Sequence, residues 1–499
     1  MLRTARLYLT AGYLALFSFA LALLVLGRVA PPPLIAAELR PAVAVAQVPQ
    51  DTTVFTAERL LSVPSLVSRY LPRTKYMTGA ELEKALREAN PTLKGLWIKP
   101  GQSVIIPGYE PEISEKPVSV PKDFEARAIY LTGTMAGSAR GLELVRQWRR
   151  MGGNAVVFDV KDSDGLINVG WDNPLLHASA VYPMESPLAG RVTPPLRNLA
   201  KYVRWLHSLE MHAIARIAIF RDEYLVTHHP ELGVRSRATG NVWRENGKLV
   251  WVDPSHPDVQ AYNIALARFA AESGVDEIQF DYVRFPAEGD QKDAQFAFEK
   301  TQPKWQRSDV LNDFLANAHQ QLKPLGVLFS LDVFGVMAWQ RSVDLAHTGQ
   351  DIRQMARHCD VLSPMIYPSH FFGMDNIKSP GDAPEHFISE SMDKFRVITK
   401  DSGVILRPWL QAFGWRTSTY SPAYIMTQVK VAKEKGGIGF MLWNARNDYS
   451  KPFTAMPEMR VRTGQFFRGD EIKDRKPILV SVAELKPEAK PAEVNVAKK

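Results

Sequence analysis

At 499 residues the chain exceeds one average domain and suffices for one large α/β domain with attachments. With 45% hydrophobic and 23% charged residues it can bury a sizeable core, which excludes a wholly disordered chain. The formal charge of +8 comes from Lys and Arg scattered along the chain with no nucleic-acid motif, so nucleic acid is not expected as a partner. The single cysteine, Cys359, excludes an intramolecular disulfide and reads as a small buried side chain.

In chain order, Arg3 and Arg6 precede an unbroken apolar stretch from Leu7 to Gly27, followed by Arg28 and Pro31-Pro32-Pro33. About twenty apolar residues span a bilayer, so residues 1–30 predict a signal anchor. A signal peptide cleaved near Ala44-Val45-Ala46 is the alternative. In either case the basic end stays in the cytoplasm and the body is exported. The body is then anchored to the inner membrane, facing the periplasm or cell exterior, or secreted. Residues 31–50, rich in Pro and Ala, read as a linker.

Residues 51–108 predict a small α+β unit. Thr78 to Asn90 carries the spacing of an amphipathic helix, Pro91 follows its end, and Lys99 to Pro107 reads as a turn and a short strand. Through Leu86, Asn90-Pro91, Leu96, Pro100-Gly101-Gln102, Val104 and Ile106-Pro107 this half resembles a LysM module, which implies binding of glycans containing N-acetylglucosamine. The front half, Asp51 to Tyr70, departs from the pattern and lacks the usual Gly-Asp-Thr-Leu opening. A degenerate spacer is the alternative. Residues 109–125, rich in Pro, Glu, Lys and Ser, read as a second linker.

From there to about residue 460 apolar strand-like runs alternate with helical patterns. The strands are expected over Arg127–Gly133, Asn154–Lys161, His212–Phe220, Glu277–Phe285, Val327–Gly335, Val361–Tyr367, Val404–Phe413 and Gly437–Asn444. Helices are expected between them, for example over Gly141–Met151, Leu196–Leu209, Val259–Ser273, Val310–Leu322 and Tyr424–Lys435. Strands this apolar, separated by helices, predict a parallel sheet covered on its outer face, and eight such units close a (β/α)8 TIM barrel over residues 126–460. The tail, 472–499, is Lys-, Pro-, Ala- and Glu-rich and is expected to be disordered.

A barrel of this kind carries its chemistry at the carboxyl ends of its strands. Residues two apart share a strand face, so Glu277, Gln279 and Asp281 face the interior together, with Asp281 nearest the mouth. By the same count the second strand offers Asp159 and Lys161, and the third Arg216. The fifth offers Ser330 and Asp332, the sixth Tyr367, and the seventh Arg407, Trp409 and Gln411. Buried carboxylates cost free energy unless paired or used. Each also has a structural reading: Asp281 as partner of Arg284 or Arg216, Asp332 as a loop cap, Asp159 with Lys161 as an internal ion pair, Tyr367 and Trp409 as packing, and Glu277 as a deep structural group. The loop from Arg221 to Pro257 adds Trp251, which can stack on a sugar or pack the surface. His228-His229, before Pro230, reads as a helix-entry feature, and no His-x-His strand pair or Cys/His cluster points to zinc. No metal and no cofactor are expected, although three carboxylates leave calcium or magnesium open.

The segments Ala128 to Thr132, Asn154 to Lys161, Glu277 to Pro286, Leu362 to Pro368 and Gly437 to Asn444 together resemble the bacterial "putative glycoside hydrolase domain" of the TIM-barrel glycosidase superfamily. The resemblance implies a glycosidase. Laid on the fourth-strand motif of family 18 chitinases, the chain has Val283 where the catalytic Glu belongs, so a substrate-assisted mechanism is not implied. Asp281-Tyr-Val-Arg284 is similar to retaining barrels whose nucleophile is an Asp on strand four and whose acid/base ends strand five, here Asp332. The expectation is therefore hydrolysis of an envelope or extracellular polysaccharide, for example peptidoglycan or an exopolysaccharide. Asp281 and Asp332 would be catalytic, and Asp159, Lys161, Arg216, Tyr367, Trp409, Gln411 and Trp251 would bind substrate. Two alternatives remain: a membrane-tethered glycan-binding barrel without catalysis, and a metal-dependent deacetylase or other hydrolase.

Overall fold

The computed structural model describes residues 51–110, 113–116, 120–172, 175, 194–469 and 478–481. The apolar amino-terminal stretch and the linker after it lie outside the described residues. Among the described residues no helix is long and apolar enough to cross a membrane.

In the small unit Thr52–Thr56 pairs antiparallel with Ser103–Pro107, and helices Val63–Tyr70 and Gly79–Ala89 enclose Leu66, Leu82, Leu86, Val104 and Ile106 against this ribbon. The second helix starts at a reciprocal cap. Thr78 Oγ1 accepts from the Glu81 amide at 3.2 Å, and the Glu81 carboxylate accepts from the Thr78 amide at 3.0 Å. Beyond that helix Asn90 ties it to the ribbon: Nδ2 donates to the carbonyls of Leu86 and Ile105, each at 2.7 Å, and Oδ1 accepts from the Ile105 amide at 2.8 Å. The first helix was not expected, because Pro64 and β-branched Val63 and Val67 obscure its periodicity. Proline is tolerated in the first turn, where the backbone N–H has no helical partner.

The barrel strands are β1 (Arg127–Leu131), β2 (Ala155–Lys161), β3 (His212–Ala218), β4 (Glu277–Asp281), β5 (Leu328–Phe334), β6 (Val361–Ile366), β7 (Trp409–Gln411) and β8 (Phe440–Trp443). Each pairs in parallel with its neighbours, and β8 pairs with β1 to close the ring. Closure brings the chain before β8 so near β1 that a Cβ on Gly439 would sit 2.2 Å from the Ala126 carbonyl; its φ of +78° also favours glycine. A short stretch, Ile405–Leu406, precedes β7, and Pro408, which has no N–H for the ladder, separates the two. Helices α1 (Ala139–Met151), α2 (Leu199–Ser208), α3 (Pro257–Glu272), α4 (Arg307–Leu322), α5 (Pro384–Ile398), α6 (Pro422–Glu434) and α7 (Ser450–Val461) surround the ring. Between β5 and β6 stand the 3-10 helix Gly335–Trp339 and the short helices Ser342–Thr348 and Ile352–Met355.

Both faces of the strands are buried, which is why they read as continuous apolar runs. Outward residues such as Phe158, Ala215, Phe280 and Leu331 pack under the helices. Inward ones, including Ala128, Val157, Ile214, Trp409 and Met441, fill the ring. At its floor Glu277 accepts from Arg407 Nη1 at 2.7 Å and lies 3.0 Å from His212 Nε2, fully buried. Burial pushes this carboxyl up, but Arg407 and His212 more than offset it and bring it down to about 2. Glu277 is therefore the structural group expected.

The small unit docks on the outer helices of the barrel. Arg146 of α1 reaches Glu81 at 2.6 Å, and the buried ammonium of Lys201 on α2 donates to the carbonyls of Leu71, at 2.6 Å, and Tyr76. Ile478–Ser481, in the tail expected to be disordered, pairs antiparallel with Ile113–Lys116, in the expected linker. The Ile-Leu-Val run has the β-branched character that a strand favours, against the composition of the tail around it.

Candidate active site

At the carboxyl ends of the strands the alternation expected from sequence brings Asp159, Arg216, Asp281 and Asp332 together. Arg216 organises them. Its Nε and Nη2 donate to Asp281 Oδ2 at 3.0 and 2.6 Å, and its Nη1 donates to Asp159 Oδ1. Asp159 also accepts from the Tyr130 hydroxyl. Of the partners weighed for Asp281, Arg216 is the one that binds it. Arg284 instead lies over the rings of Phe334, at 4.4 Å, and Trp251, at 4.5 Å.

Asp332 stands apart. Its Oδ1 accepts from Trp409 Nε1 at 2.7 Å, whereas its buried Oδ2 has no hydrogen-bond partner and lies 4.0 Å from Arg216 Nε. Burial, and then the charge of Asp281, push the Asp332 carboxyl well above its ordinary value. One guanidinium is shared among three carboxylates, and Asp332 is the one that receives no hydrogen bond from it.

β4 ends abruptly after Asp281. Tyr282 adopts φ +54°, a region an aromatic residue rarely enters, and its amide donates to Asp281 Oδ1 at 2.6 Å. The turn places the Tyr282 ring in the mouth. Asp281, Asp332, Arg216, Tyr282, Tyr367 and Trp443 border a cavity of about 170 Å³. Two wider hollows adjoin it. One, of about 600 Å³, lies on the β1–β2 side against Asp159, Asp162, Asp164 and Arg216, and the other, of about 700 Å³, lies on the β7–β8 side. Trp443 borders all three, stacked on Tyr130 at 4.1 Å with Arg216 over its ring at 5.3 Å.

Three residues expected in the site lie elsewhere. Lys161 points away from the mouth because β2 carries a bulge between Asp159 and Lys161, which shifts its register against β3 and reverses the alternation. Its ammonium meets Asp222 Oδ2 at 2.9 Å and Asn263 Oδ1 at 2.8 Å, fully buried, so the internal pair expected with Asp159 is made with Asp222. Trp251 is fully buried and donates to Glu245 Oε2 at 2.9 Å, a packing residue rather than a sugar platform. Gln411 is also buried and accepts from the Ser369 amide at 3.1 Å, bracing the β6 loop without bordering these cavities. Tyr367 and Trp409 both border the carboxylate cavity, and Trp409 also donates to Asp332.

Tyr130, Asp162, Tyr282 and Trp443 were missed. Tyr130 and Trp443 follow from the alternation on β1 and β8, two residues beyond the inward Ala128 and Met441. Asp162 faces the mouth only because of the bulge, which a two-residue period does not foresee. Burial and the neighbouring Asp159 push its carboxyl up to about 7. Among the described residues no group of three or more His, Cys, Asp or Glu side chains is arranged to hold a metal ion.

The family model described as "Putative glycosyl hydrolase domain" matches residues 128–449, from β1 past the end of β8. No curated protein matches the chain. Among solved structures, a hypothetical protein from Ruminiclostridium thermocellum is 34% identical over 41% of this chain and 97% of its own, with a TM-score of 0.33. The PgaB glycoside hydrolase domain from Bordetella bronchiseptica is 14% identical over 69% of this chain and 99% of its own, with a TM-score of 0.48. The spore cortex-lytic enzyme SleL from Bacillus megaterium is 12% identical over 84% of this chain and 88% of its own, with a TM-score of 0.39.

Proposed function

Since the chain belongs to the "putative glycosyl hydrolase domain" family and carries a glycosidase-like barrel, we propose that it hydrolyses an envelope or extracellular polysaccharide with Asp281 and Asp332 as its catalytic pair. One observation carries this reading: two carboxylates in unlike environments border one cavity. Asp281 is held by the Arg216 fork, and Asp332 is buried with an unpartnered oxygen and a raised pKa. Such a division suits glycoside hydrolysis. Asp332 gives its proton to the departing glycosidic oxygen, and Asp281 supports or attacks the anomeric carbon as positive charge builds there. Asp332 then takes a proton from the incoming water. Asp159, Arg216 and Tyr130 hold sugar hydroxyls, and the open hollows on both sides of the cavity suit a chain rather than a single sugar.

The small unit acts as a LysM-like glycan holder. Leu60, Leu96 and Trp97 support this, standing 51–57% exposed on adjoining connections. The apolar stretch from Leu7 to Gly27 tethers the exported body to the membrane, supported by its length and its basic flank.

The test is a reducing-end and mass-spectrometric screen of peptidoglycan and exopolysaccharides with the wild type and Asp281→Asn. We expect the variant to lose at least about a thousandfold in kcat/KM. Undiminished turnover in a folded variant would remove Asp281 from the mechanism. A second reading, a barrel that binds glycan without cleaving it, is favoured by the same Arg216 fork, which ties up the would-be nucleophile at rest. It predicts saccharide binding by calorimetry with no reducing ends from the wild type on any substrate.

A further inference from the structure

We infer that the hollow on the β7–β8 side is a distal subsite for an acidic sugar of the polysaccharide lying in the cleft. This rests on the proposed reading of the cleft as a glycan site and adds the chemical class of its substrate.

The wall of the carboxylate cavity continues outward as a run of rings. Tyr367, shared by cavity and hollow, meets Phe413 at 5.7 Å and His370 at 5.5 Å, and His370 meets Trp415 at 5.0 Å. Trp415 meets Phe372 at 5.9 Å. Trp415 and Phe372 are 47% and 50% exposed, large apolar faces left in water at the end of a path that starts at the carboxylates. The rings stand tilted or edge-on to one another, at 49–89°, and the exposed faces among them suit the C–H faces of pyranose units.

Charge sorts the two flanks of the cleft. The β1–β2 hollow is bordered by Asp159, Asp162 and Asp164, whereas among the described residues no carboxylate borders the β7–β8 hollow, where Arg446 stands at the rim. Arg416 adds a second guanidinium, lying 4.1 Å over Phe372 and 4.5 Å over Trp415. Its backbone sits at φ +50°, and a guanidinium packed over aromatic rings can still donate from its N–H groups. Among the described residues neither arginine forms an ion pair. Asp448, exposed nearby, feels the charge of Arg446 without pairing with it. A ring platform flanked by two unpaired guanidinium groups matches a sugar that carries a carboxylate, whose two oxygens an arginine fork accepts in plane.

The test uses full-length protein carrying Asp281→Asn, so hydrolysis does not enter the measurement; Asp332→Asn is the background if the first variant does not fold. Affinity electrophoresis is run against polygalacturonate, alginate, hyaluronan and peptide-free glycan strands of peptidoglycan, each beside its methyl-esterified form. We expect at least one acidic glycan to be retained about tenfold more strongly than its ester, an advantage that weakens with salt. Adding Trp415→Ala or Arg416→Gln lowers that retention by about tenfold or more without changing the melting temperature. Equal retention of every acid and ester, no retention of any, or retention unchanged by both substitutions overturns the subsite. Charge-dependent retention beside a wild type that cleaves nothing sinks only the hydrolytic reading. Cleavage beside retention that both substitutions leave intact sinks only the subsite.

Discussion

Replacing Lys161 by Met separates two accounts of β2. The bulge turns this ammonium outward, where it meets Asp222, Asn263 and the Ile219 carbonyl and faces the Tyr262 ring at 5.0 Å. Neither Lys161 nor Asp222 has any solvent exposure in its side chain. Met fills most of the same space with an unbranched apolar chain, so packing changes little, but Asp222 is left as a buried charge without its cation. Removing one partner of such a pair costs about 3–5 kcal/mol. Part of the contact set survives, because Asp222 Oδ1 still caps the helix Glu223–His228 through the Leu225 amide at 2.7 Å. Adding Asp222→Asn removes the stranded charge and keeps a good capping side chain, so the double variant should regain more than half of the loss. Equilibrium denaturation measures both. Because the ammonium faces α3 and not the mouth, kcat/KM of folded Lys161→Met should stay within about threefold of the wild type. Stability unchanged together with a tenfold or greater loss of kcat/KM would refute this placement and return Lys161 to the substrate side.

Further outcomes are expected for the site and for the small unit. Asp332 must be protonated to donate, so kcat/KM should fall as pH rises through its raised pKa; Asp332→Asn should cost about 10²–10⁴-fold. Trp409→Phe removes a donor that favours the charged carboxylate and should move that alkaline limb to higher pH; a limb that stays in place assigns the titration to another group. In the small unit Asn90→Ala forfeits three hydrogen bonds, about 3 kcal/mol at about 1 kcal/mol each. Hydrogen exchange should then accelerate across residues 51–110 while the barrel strands keep their protection, and equal protection in both proteins would count against that role for Asn90.

The barrel was legible because two periods alternate along the chain: near-continuous apolar strands, then helices with one apolar face. A strand buried on both sides shows this plainly, and the eight runs fell where the ring places them. The same parity found Asp159, Arg216, Asp281, Asp332 and Tyr367, since inward facing follows from counting by two. Counting failed where the backbone broke period. The β2 bulge exchanged Lys161 for Asp162, and the left-handed Tyr282 swung an aromatic ring into the mouth. Val63–Tyr70 was hidden by a proline that is harmless in a first turn.

The sequence by itself determined the closed parallel ring and which strand ends carry acids, because burial on two faces and side-chain alternation are local consequences of residue type. Only the tertiary structure decided how the surroundings of the two acids differ. Asp281 and Asp332 are the same residue at equivalent strand ends. They differ because the third strand delivers Arg216 against one, while the seventh delivers only an indole N–H to the other. Contacts between distant segments set those local fields, and no spacing along the chain encodes them.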